Sequence, residues 1–213
     1  QAPASEAAAA ASEAGAWVCG LRLRYLPADR AARVAGSPLL AHLTALELPY
    51  NRLGPRGAAA LASSPHLARL TRLDLSGTGL GDEGTAVLAA APRLPRLTAL
   101  DLGMNRIGAD GAGALAAPGR PARLGHLGLF GNDVGDRGAA ALAASPGLAC
   151  LTSLDLRRNG IGDEGAFALA ASPFLGCLTA LRVEENLIGA GGAAALRQRF
   201  GARVRLVAGL PDW

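Results

Sequence analysis

The sequence contains no lysine, so all 21 of its basic residues are arginines. Aromatic residues make up only 4% of the 213 residues, whereas apolar residues make up 50%. A chain of this length can bury a substantial core, and that core must be built mainly from Leu and Ala. The arginine usage, together with the abundance of Ala, Gly and Pro, indicates a GC-rich genome, and we expect a bacterial source.

Cysteine is scarce, and long apolar runs are missing. Cys19, Cys150 and Cys177 are odd in number and form no CxxC, which excludes the disulfide framework of a small secreted protein. No run of about 18 apolar residues occurs, so we expect no membrane span. The residues up to Gly15 have neither the basic start nor the Leu-rich stretch of an intact signal peptide. We therefore expect a cytoplasmic protein.

The residue patterns of catalysis are also missing. His42, His66 and His126 occupy different positions along the chain's pattern and accompany no Ser-His-Asp or Cys-His arrangement. No HExxH, phosphate-binding loop or zinc-ligand spacing occurs. The sequence predicts a protein that is not an enzyme and that uses no cofactor and no metal.

A repeat of 27 residues organises the chain. The hexapeptide LTALEL and its variants occur six times at this spacing, starting at Leu43, Leu70, Leu97, Leu124, Leu151 and Leu178. One step further back, residues 16–42 form a degenerate first repeat that places Cys19 at a core position, so we expect Cys19 to be buried. Repeats of this length indicate a solenoid of stacked units.

One unit predicts a strand, a turn and a helix. Leu154 and Leu156 alternate as in a short strand, and Asn159 follows at a turn. Asp163 is placed to cap the helix that it begins, and Pro173 ends that helix. The Asn recurs in five units and is replaced by Thr78 in a sixth, so we expect a ladder of buried amides in which Thr78 performs only part of the role.

The consensus LTxLDLxxNxIGDEGAxALAASPxLx resembles the leucine-rich-repeat family, and its IGDEGAxALA half resembles the ribonuclease-inhibitor subtype. The resemblance implies an α/β solenoid: a curved open arc with a concave parallel β-sheet and outer α-helices, about seven repeats plus a terminal capping strand. It predicts a tail or short cap over residues 1–15, repeats over 16–203, and a capping strand and tail over 204–213.

The outward fifth position of each strand is often acidic. It carries Glu47, Asp74, Asp101 and Asp155, and Gly20, Gly128 and Arg182 interrupt the row. Two interpretations stay open at this point. The carboxylates form an acidic stripe for a basic partner or a cation, or they are ordinary solvated side chains.

The positions just after each strand vary most between repeats. Aromatic, Met and Arg side chains there are typical interface anchors. We predict that a protein partner contacts these exits, at Tyr50, Arg52, Met104, Arg106, Phe130, Arg157, Arg158, Glu184 and Glu185. The alternative is a surface without a cognate ligand, since single exposed aromatic residues are common.

Arginines also gather before the strands. They form a candidate patch for an anion or an acidic partner, and the alternative is solvated loop charge; the residues are Arg69, Arg72, Arg93, Arg96, Arg120 and Arg123. No aromatic residue interleaves with them, which argues against nucleic acid. Cys150 and Cys177 share the next two equivalent positions, either as reduced thiols or as a bridge.

The favoured function is a non-catalytic, protein-binding scaffold that uses the concave face, as the family resemblance implies. Two alternatives remain. Ran GTPase-activating proteins share this repeat type, although the acidic tail of those proteins is absent here. The chain is also compatible with a structural module of a longer protein.

Overall fold

The structure is a computed structural model, and it describes residues 19–24, 30–91, 94–117 and 123–206. These residues form one parallel sheet whose strands lie side by side in chain order. The strands are β1 (Gly20–Arg22), β2 (Ala45–Glu47), β3 (Arg72–Asp74), β4 (Ala99–Asp101), β5 (His126–Gly128), β6 (Ser153–Asp155), β7 (Ala180–Arg182) and β8 (Val204–Arg205). This is the predicted α/β solenoid, with each repeat adding one strand to an open sheet.

Helices connect the strands and cover one side of the sheet. They are α1 (Ala31–Ala35), α2 (Gly54–Ser63), α3 (Gly81–Ala89), α4 (Ala109–Ala116), α5 (Gly135–Ala143), α6 (Asp163–Ala170) and α7 (Ala190–Phe200). Short 3₁₀ turns precede some strands, at Pro38–His42, Pro146–Leu148 and Leu175–Cys177, and one follows α7 at Gly201–Arg203. Small residues on the inner helix faces, such as Ala58, Ala112 and Ala166, are fully buried and let the helices approach the leucines of the sheet.

The register confirms the 27-residue spacing from β2 to β7 and corrects it for the first repeat. Leu46 pairs with Leu73, but on its other side it pairs with Leu21, only 25 residues earlier. The prediction that Cys19 is a buried core residue was therefore wrong, and Cys19 is exposed. The segment VCGLRL at residues 18–23 matches the LxxLxL pattern two residues away from the position expected by spacing alone.

Threonine and asparagine side chains bond each repeat to the preceding one. Thr152 Oγ1 donates to the carbonyl of Gly125 at 2.9 Å, and equivalent threonines repeat the contact. Asn132 Nδ2 donates to the carbonyls of Leu102 and Leu129, while its Oδ1 accepts from the backbone of the repeat before it. These bonds confirm the predicted ladder of buried amides. The amides stabilise the stack because the backbone N–H and C=O groups that they bond would otherwise be buried without partners.

Thr78 performs part of the amide's role, as predicted. Its hydroxyl donates to the Leu75 carbonyl of its own repeat at 2.6 Å. Unlike the Asn amide, it has no second hydrogen to donate to a carbonyl of the preceding repeat. The N–H of Leu53, in that preceding repeat, donates instead to the Thr78 backbone carbonyl at 3.2 Å, whereas the equivalent N–H of Leu80 donates to Asn105 Oδ1. A backbone carbonyl thus accepts the hydrogen bond that the amide oxygen of Asn accepts in the other repeats.

The aspartate near the start of three of the helices caps a different helix from the one that the sequence predicts. Asp163 is the first residue of its own helix and makes no capping bond there. Its Oδ1 instead accepts from the backbone N–H groups of Gly189 and Gly192, at 2.8 and 3.0 Å, where the helix of the next repeat begins. Asp82 and Asp136 do the same for α4 and α6. Capping here joins neighbouring repeats.

The backbone conformation at a helix start differs according to whether the preceding repeat supplies this aspartate. Gly108, Gly162 and Gly189 receive an aspartate and are extended. Gly81 and Gly135 follow repeats with Pro55 and Ala109 at the equivalent position, and both have positive φ, at 60° and 59°. A left-handed conformation of this kind favours glycine.

Candidate functional site

The eighth position of each of the six regular repeats, three residues after the strand ends, has a left-handed backbone. Glycine fills it in two repeats, at Gly77 and Gly131, with φ of 64° and 66°. In the other four repeats a residue with a side chain holds the same conformation, with φ between 52° and 58°; these are Tyr50, Met104, Arg158 and Glu185. This conformation costs a non-glycine residue roughly 1–2 kcal/mol. The strain was not predicted from the sequence, although the two glycines are its signal.

Tyr50 and Met104 lean toward the C-terminal repeats, over the glycines that follow. A Cβ atom on Gly77 would lie 2.6 Å from the Tyr50 ring, and one on Gly131 would lie 3.3 Å from Met104 Cγ. The Tyr50 hydroxyl lies 3.7 Å from the Met104 sulfur. The two side chains stay 68% and 49% exposed, and together they form a continuous apolar ridge along the strand exits.

Phe130 continues this ridge and is stacked by arginine. The Arg157 guanidinium carbon lies 4.8 Å from the centre of the Phe130 ring, and that of Arg158 lies 5.6 Å from it. Arg157 also donates from Nε and Nη2 to the Asp155 carboxylate, at 2.9 and 2.6 Å. The hydrogen bond to Asp155 raises the pKa of Arg157 above its usual value, against the opposing effect of burial.

The remaining charges at the C-terminal exits are also paired within the protein. Arg158 forms an ion pair with Glu185. Glu184 is buried, at 7% exposure, and lies 3.7 Å from Arg182 Nε, so its carboxylate does not project toward a partner as the sequence suggested. Arg182 also lies 3.6 Å from Asp155. The predicted contacts Arg157, Arg158 and Glu185 are therefore accessible but already engaged.

The carboxylates of the acidic row accept hydrogen bonds from the turns that follow the strands, and some of them carry a charge that no ion pair neutralises. Asp74, Asp101 and Asp155 each accept a hydrogen bond from the backbone N–H two residues on, which is an architectural role. Glu47 lies 3.6 Å from Arg22 and Asp155 has its two arginines. Within the part of the chain that the structure describes, Asp74 and Asp101 form no ion pair.

An open depression lies where the acidic row is interrupted. Gly128 pairs with Asp101 on one side and with Asp155 on the other. The strand position between the two carboxylates therefore carries no side chain. Asp101 leans into the gap, where a Cβ on Gly128 would meet it at 2.9 Å. Tyr50, Met104 and Phe130 line this depression, together with Ser76, His126, Arg157 and Arg182. This arrangement brings the aromatic exits and the acidic row, predicted separately, to one place.

The other predicted positions lie apart from this depression. Arg52 and Arg106 are exposed at the tenth position of their repeats. The described members of the arginine patch, Arg69, Arg72, Arg96 and Arg123, are exposed, and Arg93 and Arg120 lie outside the described residues. Cys150 and Cys177 are exposed free thiols.

The described residues include neither a cluster of metal-ligating side chains nor a helix that could span a membrane. These residues contain no group of three or more His, Cys, Asp or Glu side chains placed to hold a metal ion. None of the helices in the described ranges has the length and apolar character needed to cross a membrane.

Solved structures share this fold. An internalin (InlF) from Listeria monocytogenes superposes with a TM-score of 0.54 at 20% identity, over 91% of this chain and 47% of that one. Internalin C2 from the same organism gives 0.51 at 28% identity, over 78% and 62%. A structure of the yeast Rad7–Elc1 complex gives 0.66 at 20% identity, over 91% and 50%. The chain thus spans about half to three fifths of these structures' chains.

No curated protein matches the sequence. The model of the leucine-rich-repeat family, described as "Leucine Rich repeat", matches five segments, at residues 40–62, 66–89, 94–116, 124–143 and 147–170. These segments cover more than half of the chain and coincide with successive strand and helix units of the structure. The chain belongs to the leucine-rich-repeat family.

Proposed function

We propose that this chain is a non-catalytic scaffold that binds a protein partner through the sheet face and the strand exits. The observation that carries the proposal is the left-handed backbone at the eighth position. Tyr50, Met104, Arg158 and Glu185 hold it, although glycine holds it without strain in the two other repeats. Strained backbone of this kind clusters at functional sites. Tyr, Met and Arg are also enriched in protein interfaces.

The extent of the surface favours a protein over a small molecule. The exits from Tyr50 to Glu185 belong to six adjacent strands, which at about 4.8 Å per strand gives a row of about 24 Å. Small-molecule sites are concave cavities that enclose most of their ligand. A long, open row of exposed side chains instead suits a protein partner, since protein interfaces are extended and take roughly 800 Å² from each side.

Photo-crosslinking tests the proposal. A photoreactive residue placed at Met104 should crosslink one protein from an extract of the source organism, whereas the same residue at Arg137, on the outer helix α5, should not. The double variant Tyr50→Ala/Phe130→Ala should reduce capture of that protein at least tenfold. The control Arg56→Ala/Arg137→Ala changes two exposed helical residues and should leave capture unchanged. Equal loss in both variants would contradict the site.

The subtype and the compartment are proposals of the same kind. Helices of 8 to 11 residues in the 27-residue repeats support the ribonuclease-inhibitor type. Three exposed, unpaired thiols support a reducing compartment, and we propose the cytoplasm of a bacterium. Fractionation of source cells, with detection of the endogenous chain, tests the compartment.

A further inference from the structure

The protein already holds one guanidinium of its own on this surface. Arg157, at the seventh position of its repeat, donates to the fifth-position carboxylate of the same repeat, Asp155. Its guanidinium also lies 4.8 Å from the ring centre of Phe130, one repeat earlier. A carboxylate that supplies two acceptors, next to an aromatic face, is a favourable site for the planar, cationic guanidinium.

Two repeats earlier, the same positions lack the arginine. Asp101 occupies the fifth position, but Gly103 occupies the seventh, where Arg157 stands in the later repeat. Asp101 Oδ1 accepts from the Gly103 N–H at 2.9 Å and from the Ser76 hydroxyl at 3.0 Å. Neither donor is a cation, and Asp101 Oδ2 receives no hydrogen bond from a described residue. The carboxylate is present without the guanidinium that completes the later site.

The space that the missing arginine leaves is bordered by suitable groups. Gly103 and Gly128 keep side chains out of the depression beside Asp101. Tyr50, Met104 and Phe130 are among its lining residues, and a ring face and a thioether both pack well against a guanidinium or its aliphatic stem. Arg157 and Arg182 also line the depression, but both are paired with Asp155. Asp101 forms no ion pair with a described residue, so the group that complements its charge is a cation.

We propose that this depression, the Asp101 site, binds an arginine side chain of the partner protein, with the guanidinium on Asp101 Oδ2 and the stem along Tyr50 and Met104. The inference rests on the proposed scaffold function and names the chemistry of its partner: an arginine-containing segment. The partner's arginine meets Asp101 as Arg157 meets Asp155. The ring comes from the other side, because Ser76 stands at the seventh position of the preceding repeat and Phe130 belongs to the following one.

An NMR titration of the isotope-labelled chain tests this site without a known partner. The probe is Nα-acetyl-L-arginine methylamide, and the matched control probe is the citrulline analogue, which has a similar shape but no charge. The arginine probe should produce saturable shifts at the amides of Gly103, Gly128 and Phe130, with a Kd on the order of 10 mM, as expected for one partly exposed ion pair with ring stacking. The citrulline probe should bind at least fivefold more weakly.

Two variants locate the binding. Asp101→Asn keeps an oxygen acceptor for the Gly103 N–H and removes the charge, so arginine affinity should fall at least fivefold. Asp110→Asn makes the same charge change at an exposed position of helix α4 and should have no effect. Gly103→Arg supplies the missing arginine within the chain and should also abolish probe binding.

The inference is overturned if the citrulline probe binds as well as the arginine probe, if no saturable shift appears, or if Asp101→Asn binds arginine like the parent chain. The scaffold proposal has a separate readout. If Tyr50→Ala/Phe130→Ala loses its protein partner while the arginine probe fails to bind, the scaffold stands and the Asp101 site is wrong.

Discussion

Replacing Tyr50 by Gly should leave the protein more stable than replacing it by Ala. Tyr50 has φ of 57°, in the left-handed region where a Cβ atom is unfavourable. Both variants remove the ring over Gly77 and the contact with Met104, so those losses cancel in the comparison. What remains is the cost of the Cβ atom in the folded state and the greater freedom of Gly in the unfolded state.

The magnitude follows from two opposing terms. The left-handed conformation costs Ala roughly 1–2 kcal/mol relative to Gly. The unfolded-state entropy of Gly removes about 0.4–1 kcal/mol of that advantage. The midpoints of the two ranges make Tyr50→Gly about 0.8 kcal/mol more stable than Tyr50→Ala, a difference of about 2–3 °C in Tm for a chain of this size. Far-UV circular dichroism during thermal and urea unfolding measures it.

A second comparison of Ala with Gly, at a helical position of the same protein, serves as the control, because there Ala should be the more stable of the two. Ala59 is an exposed residue within helix α2, where Ala→Gly should cost about 1 kcal/mol. If Tyr50→Gly is no more stable than Tyr50→Ala while Ala59→Gly shows its expected loss, the strain argument for the eighth position is refuted. Both Tyr50 variants should bind the partner less well, which separates the stability gain from function.

Three other outcomes are expected. Asp163→Ala should cost about 1–2 kcal/mol of unfolding free energy, because it removes the acceptor for the N–H groups of Gly189 and Gly192, whereas Glu164→Ala in the same helical turn should cost less than about 0.5 kcal/mol; equal losses would contradict capping between repeats. Asn132→Ala should cost at least about 3 kcal/mol, since it leaves buried backbone groups without partners, and Asn132→Thr should cost clearly less because the Thr78 repeat shows that a hydroxyl supplies part of the role; urea unfolding compares them. All three thiols should react with Ellman's reagent in the native protein, and a protected Cys19 would contradict its exposed position.

The repeat spacing alone predicts most of the fold. A sheet of in-register strands follows once Leu46, Leu73 and Leu100 recur at one interval and each needs a neighbour to bury it. The first repeat departs from this prediction because a fixed interval carries no information about a two-residue deletion. The local pattern VCGLRL does carry it, since a strand's alternation specifies which residues face the core.

Helix capping shows why local rules fall short in a solenoid. The residue type at Asp163 correctly indicates a capping carboxylate, but the rule assigns it to its own helix. In the stacked array the N–H groups of the next repeat lie within reach, at 2.8 and 3.0 Å, and they take the carboxylate. Only the distance between neighbouring repeats decides this, and the sequence of one unit does not contain that distance.

The candidate site was predicted by residue type but not by accessibility. Arg157 and Arg158 stand out in the sequence because no other repeat has a basic pair there, yet the structure gives them Asp155, Glu185 and the Phe130 ring. Tyr50 and Met104, predicted alongside them, are exposed and take part in no ion pair. The strand exits therefore divide into a C-terminal half whose charges are paired within the protein and an N-terminal half whose exposed side chains, Tyr50 and Met104, have no such partner to give up. A partner gains more from the N-terminal half, since binding there does not first require breaking an existing ion pair.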